Sequence, residues 1–91
     1  MPQISRLLKD VVHVRPTGGY RLWLRFDDGV EGEVDVAALV PFTGVFEALR
    51  DPLVFGSVQV NDDLGTVVWP TGADLDPVVL YEQVRKTASS A

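Results

Sequence analysis

The sequence predicts a small α+β domain with an antiparallel sheet of about five strands and two short helices, in the order β-β-β-α-β-β-α. Three patterns predict it. Residues 20–35 alternate as two strands around a tight turn, residues 42–49 carry apolar side chains at helical spacing, and a helix begins at Pro77. A chain of 91 residues has room for one domain. We place that domain at residues 1–86 and expect residues 87–91 to form a disordered tail.

The first strand is predicted at residues 10–15, a short run rich in β-branched side chains. Pro16 and the pair Gly18-Gly19 then supply a turn. Its histidine, His13, is expected to be an ordinary strand residue on the polar face or near an edge. No nucleophile is positioned beside it to suggest a general base.

The next segment is the clearest pattern in the chain, because its apolar and polar side chains alternate. Asp27-Asp28-Gly29 matches a three-residue hairpin loop whose last residue, Gly29, must adopt positive φ. A shorter loop would pair apolar residues with acids, so the three-residue loop fixes the register. One face then holds Tyr20, Leu22, Leu24, Phe26, Val30 and Val34, and the other holds Arg21, Trp23, Arg25, Glu31, Glu33 and Asp35.

After the hairpin, residues 36–42 predict a helical turn that Pro41 stops, and residues 43–52 predict a helix with Thr43 as N-cap and Pro52 as terminator. Two strands are expected at residues 53–60 and 65–69, joined by a polar turn at residues 61–65. The stripe expected to cover the apolar face of the hairpin is Phe42, Val45, Phe46 and Leu49.

Two aspartates precede the final helix and have different expected roles. Asp76 stands before Pro77 at the first helical position, so we predict that it caps the helix rather than acting in catalysis. Asp74 lies in a tight loop, where it either bonds nearby backbone amides or serves as a functional carboxylate. The pair forms Asp-x-Asp, but the further oxygen ligands and the glycine of a calcium loop are missing, so no metal site is predicted.

Composition excludes several functional classes. The absence of cysteine excludes disulfides, thiolate metal sites and a cysteine nucleophile, and no serine lies in a nucleophile elbow. The glycines match neither a phosphate loop nor a dinucleotide fingerprint, so we expect neither a cofactor nor enzymatic activity. The N-terminal residues lack the apolar core of a signal peptide and no apolar run is long enough to span a membrane, so a cytoplasmic location is expected.

The best functional candidate is a partner-binding face formed by Arg21, Trp23 and Arg25, with Glu33 opposite the tryptophan. Tryptophan and arginine are enriched in interface hot spots. An equal alternative is that the long helix or the N-terminal segment covers Trp23. Single-stranded nucleic acid could stack there. However, the net charge of −5 and the opposing acids make a protein partner, or a second copy of the chain, the stronger expectation.

Four segments carry a family resemblance: FDDGVEGEVDV, VFEALRD, FGSVQV and GTVVWPTGADLDPVVLY. Together they resemble a bacterial family known as domain of unknown function twenty-four forty-two. The resemblance covers about residues 10 to 81 and implies a small α+β domain with an antiparallel sheet and two helices. Some relatives carry a helix-turn-helix domain, and some are encoded beside another small protein as in a toxin–antitoxin pair.

The resemblance and the polar face together favour a non-enzymatic protein-interaction or regulatory module, antitoxin-like in pairing with another small bacterial protein. The alternative is a small-ligand-binding domain or an enzyme that uses the loop at residues 69–74.

Overall fold

The computed structural model describes residues 10–89, with side chains through residue 86. The chain runs through three strands, a helical stretch, two strands and a final helix, which confirms the predicted α+β class. The strands form two antiparallel sheets. The larger contains β1 (Val11–Gly18), β2 (Arg21–Phe26) and β3 (Glu31–Asp35) in that order, and the smaller is a hairpin of β4 (Gln59–Asn61) and β5 (Thr66–Val68).

The hairpin of β2 and β3 has the predicted register. Trp23 lies opposite Glu33 and Leu24 opposite Gly32, and the backbone N–H of Phe26 donates to the Val30 carbonyl at 2.8 Å. Gly29 has a φ of +92°, the left-handed conformation that the three-residue loop requires. The turn is thus fixed by local sequence.

Strand β1 is longer than predicted, because it continues past Arg15 to Gly18. The strand includes Pro16, which edge strands tolerate because the missing N–H faces away from the ladder. The pairing with β2 shifts register between Val11 and His13 and again between Pro16 and Gly18. Both register shifts involve β1, which is an edge strand of the sheet.

The helical middle of the chain is divided into three short pieces. They are α1 (Val36–Leu39), a 3-10 helix (Gly44–Arg50) and α2 (Pro52–Phe55). Thr43 occupies the predicted N-cap position of the 3-10 helix, although its side chain makes no capping bond. The 3-10 helix ends before Pro52 as predicted, but Pro52 also begins α2, which the sequence did not predict. The Asp51 carboxylate caps α2 by accepting from the Leu53 N–H at 2.9 Å.

Two further expectations for this stretch are corrected. Val45 is 57% exposed and does not join the apolar stripe, because a 3-10 helix has three residues per turn and aligns Phe46 with Leu49 instead. Residues 53–55 are helical rather than extended, so the strand expected at residues 53–60 is limited to β4. Tertiary packing overrides the β-branched composition of this segment.

The core lies between the larger sheet and the helices. Helix α3 (Pro77–Ser89) packs beneath β3, where a Cβ on Gly32 would approach Val84 to 3.0 Å. The division into a domain of residues 1–86 and a tail stays a prediction, since α3 ends at Ser89 and residues 90–91 lie outside the described part. The largest fully buried side chains are Phe26, Leu22, Leu24, Leu49, Leu80, Val11, Val36, Val67 and Val84.

Candidate functional site

The outer face of the larger sheet, meaning the side turned away from the core, carries Trp23 on its central strand. Strand alternation buries Leu22 and Leu24 completely and leaves Trp23 half-buried between them on the opposite side. The cross-strand neighbours of Trp23 are Arg15 on β1 and Glu33 on β3. A large aromatic ring therefore stands between a cation and an anion.

Arg15 is the contact that the sequence did not reveal. Its guanidinium carbon lies 4.8 Å from the centroid of the Trp23 ring, within the range of a cation–π interaction. The pairing of β1 with β2 depends on two register shifts, which no local pattern predicts. The available signal was the alternation of His13 and Arg15 with valines, which places both side chains on one face.

Charge is divided across this outer face. The cationic side chains Arg15, Arg21 and Arg25 lie on β1 and β2, whereas the acidic side chains Glu31, Glu33 and Asp35 lie on β3. The Arg21 Nε lies 3.9 Å from the Glu33 Oε1, and both side chains are about half exposed. An ion pair this long and exposed contributes little to stability, so both charges can interact with a partner.

Helix α3 packs on the inner face of the sheet, so the expectation that the long helix covers Trp23 is wrong. Its residues Leu80 and Val84 belong to the core on the inner face, and Tyr81 packs edge-on against Phe26 with ring centroids 5.0 Å apart. The N-terminal segment was the other expected cover. Residues 1–9 lie outside the described part of the chain.

The loop after β5 uses its most distinctive side chains in packing. Trp69 is buried, donates from its indole N–H to the Phe55 carbonyl at 2.9 Å, and packs against the Phe55 ring. Ala73 is also buried, and its carbonyl accepts from the Trp69 backbone N–H at 2.9 Å. This segment is therefore a structural turn whose aromatic ring faces the core.

The two aspartates of this region behave differently. Asp76 caps α3 as predicted, because its Oδ1 accepts from the Val78 N–H at 2.9 Å. Asp74 is exposed and its backbone forms an isolated bridge with Val68. The expected bond from its carboxylate to nearby amides is not formed within residues 10–89. The carboxylate role of Asp74 stays a prediction.

A side-chain hydrogen bond connects α3 to the β2–β3 turn. The Tyr81 hydroxyl donates to Asp28 Oδ2 at 2.6 Å. This hydrogen bond, with smaller contributions from desolvation and the Asp28 charge, raises the pKa of Tyr81, and Arg85 opposes the shift. Asp28 also accepts from the Val30 N–H through its other oxygen, so the turn and the helix share one carboxylate.

Over residues 10–89, no group of three or more histidine, cysteine or acidic side chains is arranged to hold a metal ion. Over residues 10–86, every buried side-chain polar atom has a hydrogen-bond partner, so no orphaned group marks a ligand site there. None of the helices described is long and apolar enough to cross a bilayer.

Fold and surface together define a small α+β domain with a half-buried tryptophan at the centre of a charged sheet face. The chain belongs to the family described as Protein of unknown function (DUF2442), whose model matches residues 11–86. No curated protein and no solved structure matches the chain.

Proposed function

We propose that this domain is a non-enzymatic protein-interaction or regulatory module that binds another small bacterial protein through its outer sheet face, as an antitoxin-like partner does. Its expected location is the cytoplasm. Trp23 is the observation that carries the proposal. Its ring is half-buried on the central strand, and no described helix covers it.

The neighbours of Trp23 support a protein partner. Arg15 holds one side of the ring, and Arg21 and Arg25 flank it along β2. Tryptophan and arginine are enriched among the hot-spot residues of protein interfaces, where a large ring is desolvated and guanidinium groups pair with partner acids. The acidic side chains of β3 supply complementary contacts for partner cations.

Two other functions have weaker support. In the loop at residues 69–74, Trp69 and Ala73 are buried, so a ligand site or active site there would depend on the exposed polar side chains Thr71 and Asp74 alone. Nucleic acid would meet Glu31 and Glu33 beside any base stacked on Trp23, and these carboxylates would repel its phosphates.

The direct test is co-purification of the native protein with its companion, followed by mass measurement of the complex and titration with the purified companion. Trp23→Ala should retain the fold and weaken association by about 2 kcal/mol or more, the scale of an interface anchor. The matched control is Leu53→Ala, which removes an apolar side chain that is 83% exposed on α2.

The control should bind as the wild type does. Trp23→Ala with normal stability and unchanged association would contradict the proposal. A native complex containing only copies of this chain would identify the same face as a homodimer interface if Trp23→Ala dissociates it. Sedimentation of the wild type and both variants distinguishes these outcomes.

A further inference from the structure

The free edge of β3 has a regular hydrogen-bonding pattern. Phe26 and Val30 are directly bonded across the hairpin, and so are Tyr20 and Val36. Bonded and non-bonded pairs alternate in an antiparallel ladder, so every second residue of β3 bonds to β2. The backbone N–H and C=O groups of Glu31 and Glu33 therefore point away from β2, toward the open edge.

The opposite edge of this sheet is blocked by several features. Strand β1 contains Pro16, which has no N–H to donate, and its pairing with β2 is interrupted by two register shifts. Its Val11 N–H is already bonded to the Gly65 carbonyl at 2.9 Å. By contrast, β3 contains no proline, and all five of its residues pair with β2 without a shift.

A cleft of about 390 Å³ lies at the C-terminal end of β3. Three consecutive residues of β3 line it, Glu33, Val34 and Asp35. Because consecutive strand residues alternate between the two faces of the sheet, the cleft borders both faces at this end of the strand. The other lining residues are Arg21, Ala38, Leu39 and Gln83, which bring α1 and α3 to its borders.

The charges on β3 determine which kind of added strand can pair with this edge. The exposed side chains of β3 are Glu31, Glu33 and Asp35, all on the outer face. A second copy pairing through β3 in the antiparallel sense would place acids opposite acids, which destabilises a ladder. A strand with a basic residue at every second position would place its cations opposite these carboxylates.

We propose that the β3 edge binds an extended basic segment of a partner protein as a fourth strand of the larger sheet. The proposal rests on the proposed function, because it names the partner segment that the same domain recognises. The backbone of Glu31 and Glu33 supplies the hydrogen bonds, and their carboxylates select lysine or arginine at alternate positions. The cleft beside Val34 receives an apolar side chain of the added strand.

The first experiment uses two synthetic peptides with blocked ends. One alternates lysine with valine, and the matched peptide alternates glutamate with valine. NMR titration of the full chain should show the lysine peptide binding roughly tenfold more tightly or better, from a few cross-strand charge pairs. The amide protons of Glu31 and Glu33 should become protected from exchange, whereas those of β1 should not change.

Two variants test the edge itself. Glu33→Pro removes an outward N–H while leaving the bonds between β2 and β3 in place, and Glu31→Lys reverses a charge without altering the backbone. Each should weaken binding of the lysine peptide several-fold. The control is Asp63→Lys, the same charge change in the β4–β5 turn, which should bind normally. If Glu33→Pro fails to fold, Glu31→Lys still decides the result.

The edge proposal is overturned if the two peptides bind equally, if neither binds, or if binding leaves the Glu31 and Glu33 amides unprotected. The proposed function has its own test, and it is contradicted if the native complex remains intact in Trp23→Ala. A native complex that Trp23→Ala disrupts, but that tolerates Glu31→Lys and Glu33→Pro, would retain the interaction module and reject the added strand.

Discussion

The two tryptophans lie in contrasting surroundings. Trp69 is 2% exposed, packs against the Phe55 ring, and has its indole N–H bonded to the Phe55 carbonyl. Trp23 is half-buried on the outer sheet face, where Arg15 is its aromatic-ring partner. One ring therefore fills the core, and the other forms part of a charged surface.

The difference shows that the most distinctive part of the sequence is structural. The segment from Trp69 to Asp76 supplies a buried ring, a tight turn and a helix cap. The less conspicuous alternation around Trp23 supplies an exposed surface instead. A distinctive motif in a small domain is thus explained first by the packing it satisfies, because such a domain has few core residues.

The largest effect is expected from Trp69→Ala, which should destabilise the domain by about 3–5 kcal/mol, as truncation of a large buried aromatic does. Trp23→Ala should cost about 1 kcal/mol, the scale of an exposed cation–π contact. Denaturant unfolding of both variants measures the contrast directly. Equal losses of stability would show that Trp23 also belongs to the core.

Trp69→Phe sharpens this comparison. The variant keeps an aromatic ring but removes the indole N–H, so the Phe55 carbonyl loses its bond from the indole. The expected loss is about 1–3 kcal/mol, between the wild type and the alanine variant. A stability equal to that of the wild type would mean that the hydrogen bond contributes nothing to the packing of Trp69.

Gly29→Val tests the turn that directs Trp23 outward. The glycine has a φ of +92° and no neighbouring atom within 4 Å of an added Cβ, so the cost is backbone strain rather than a clash. We expect a loss of more than about 1 kcal/mol, because a β-branched residue is strongly disfavoured at positive φ. An unchanged thermal midpoint would contradict the three-residue loop.

The pair Asp76 and Asp74 provides an internal control within the Trp69 region. Asp76→Ala removes a cap bond and should cost about 0.5–2 kcal/mol while leaving partner binding intact in the folded fraction. Asp74→Ala changes an exposed side chain and should stay within about 0.5 kcal/mol of the wild type. Loss of binding at unchanged stability in Asp76→Ala would indicate a functional acid.

The smallest effect concerns Tyr81, which connects the helix after the Trp69 region to the turn beside the Trp23 face. The hydrogen bond to Asp28 raises the pKa of Tyr81 in the folded state. Its stabilising contribution is therefore complete below the unfolded pKa of about 10, and it is lost as pH rises through the folded value. Tyr81→Phe, which keeps the ring packed on Phe26, should remove this alkaline loss.

Denaturant unfolding midpoints measured through the alkaline range test this expectation. The wild type should lose stability more steeply than Tyr81→Phe, whereas the two proteins should respond alike near neutral pH apart from a constant offset. Asp28→Asn is the matched variant on the other side of the bond, because it replaces the charged acceptor with a neutral amide oxygen and should reduce the alkaline loss without removing the tyrosine. Parallel alkaline curves for the wild type and Tyr81→Phe would refute the linkage.

The parts of the structure that the sequence predicted correctly are governed by short-range chemistry. Gly29 specified the hairpin register because few residues adopt positive φ, and Asp76 with Pro77 specified the start of α3. The same Asp-Pro pair occurs at Asp51-Pro52, where it also caps a helix. In the sequence, Pro52 was interpreted as the end of a helix, because the residues before it have apolar side chains at helical spacing.

The remaining features of the structure depend on contacts between residues that are far apart in the sequence. Residues 53–55 belong to a run with strand-like composition, in which Val54 and Phe55 favour strands, yet they form α2, and Phe55 packs against both Tyr20 and Trp69. No local pattern contains those partners. Likewise, Arg15 meets Trp23 only because β1 pairs with β2 through shifted register.

The sequence by itself determined the α+β class, the β2–β3 register with its two faces, and the cap of the last helix. In each case the cause is a backbone preference or an alternation that acts within a few residues. The tertiary structure decided that α3 packs on the inner face, that Trp69 is buried while Trp23 remains half-buried, and that β3 forms an open edge. These outcomes depend on which apolar surfaces meet in three dimensions, and burial energy depends on the area removed from water rather than on position in the chain.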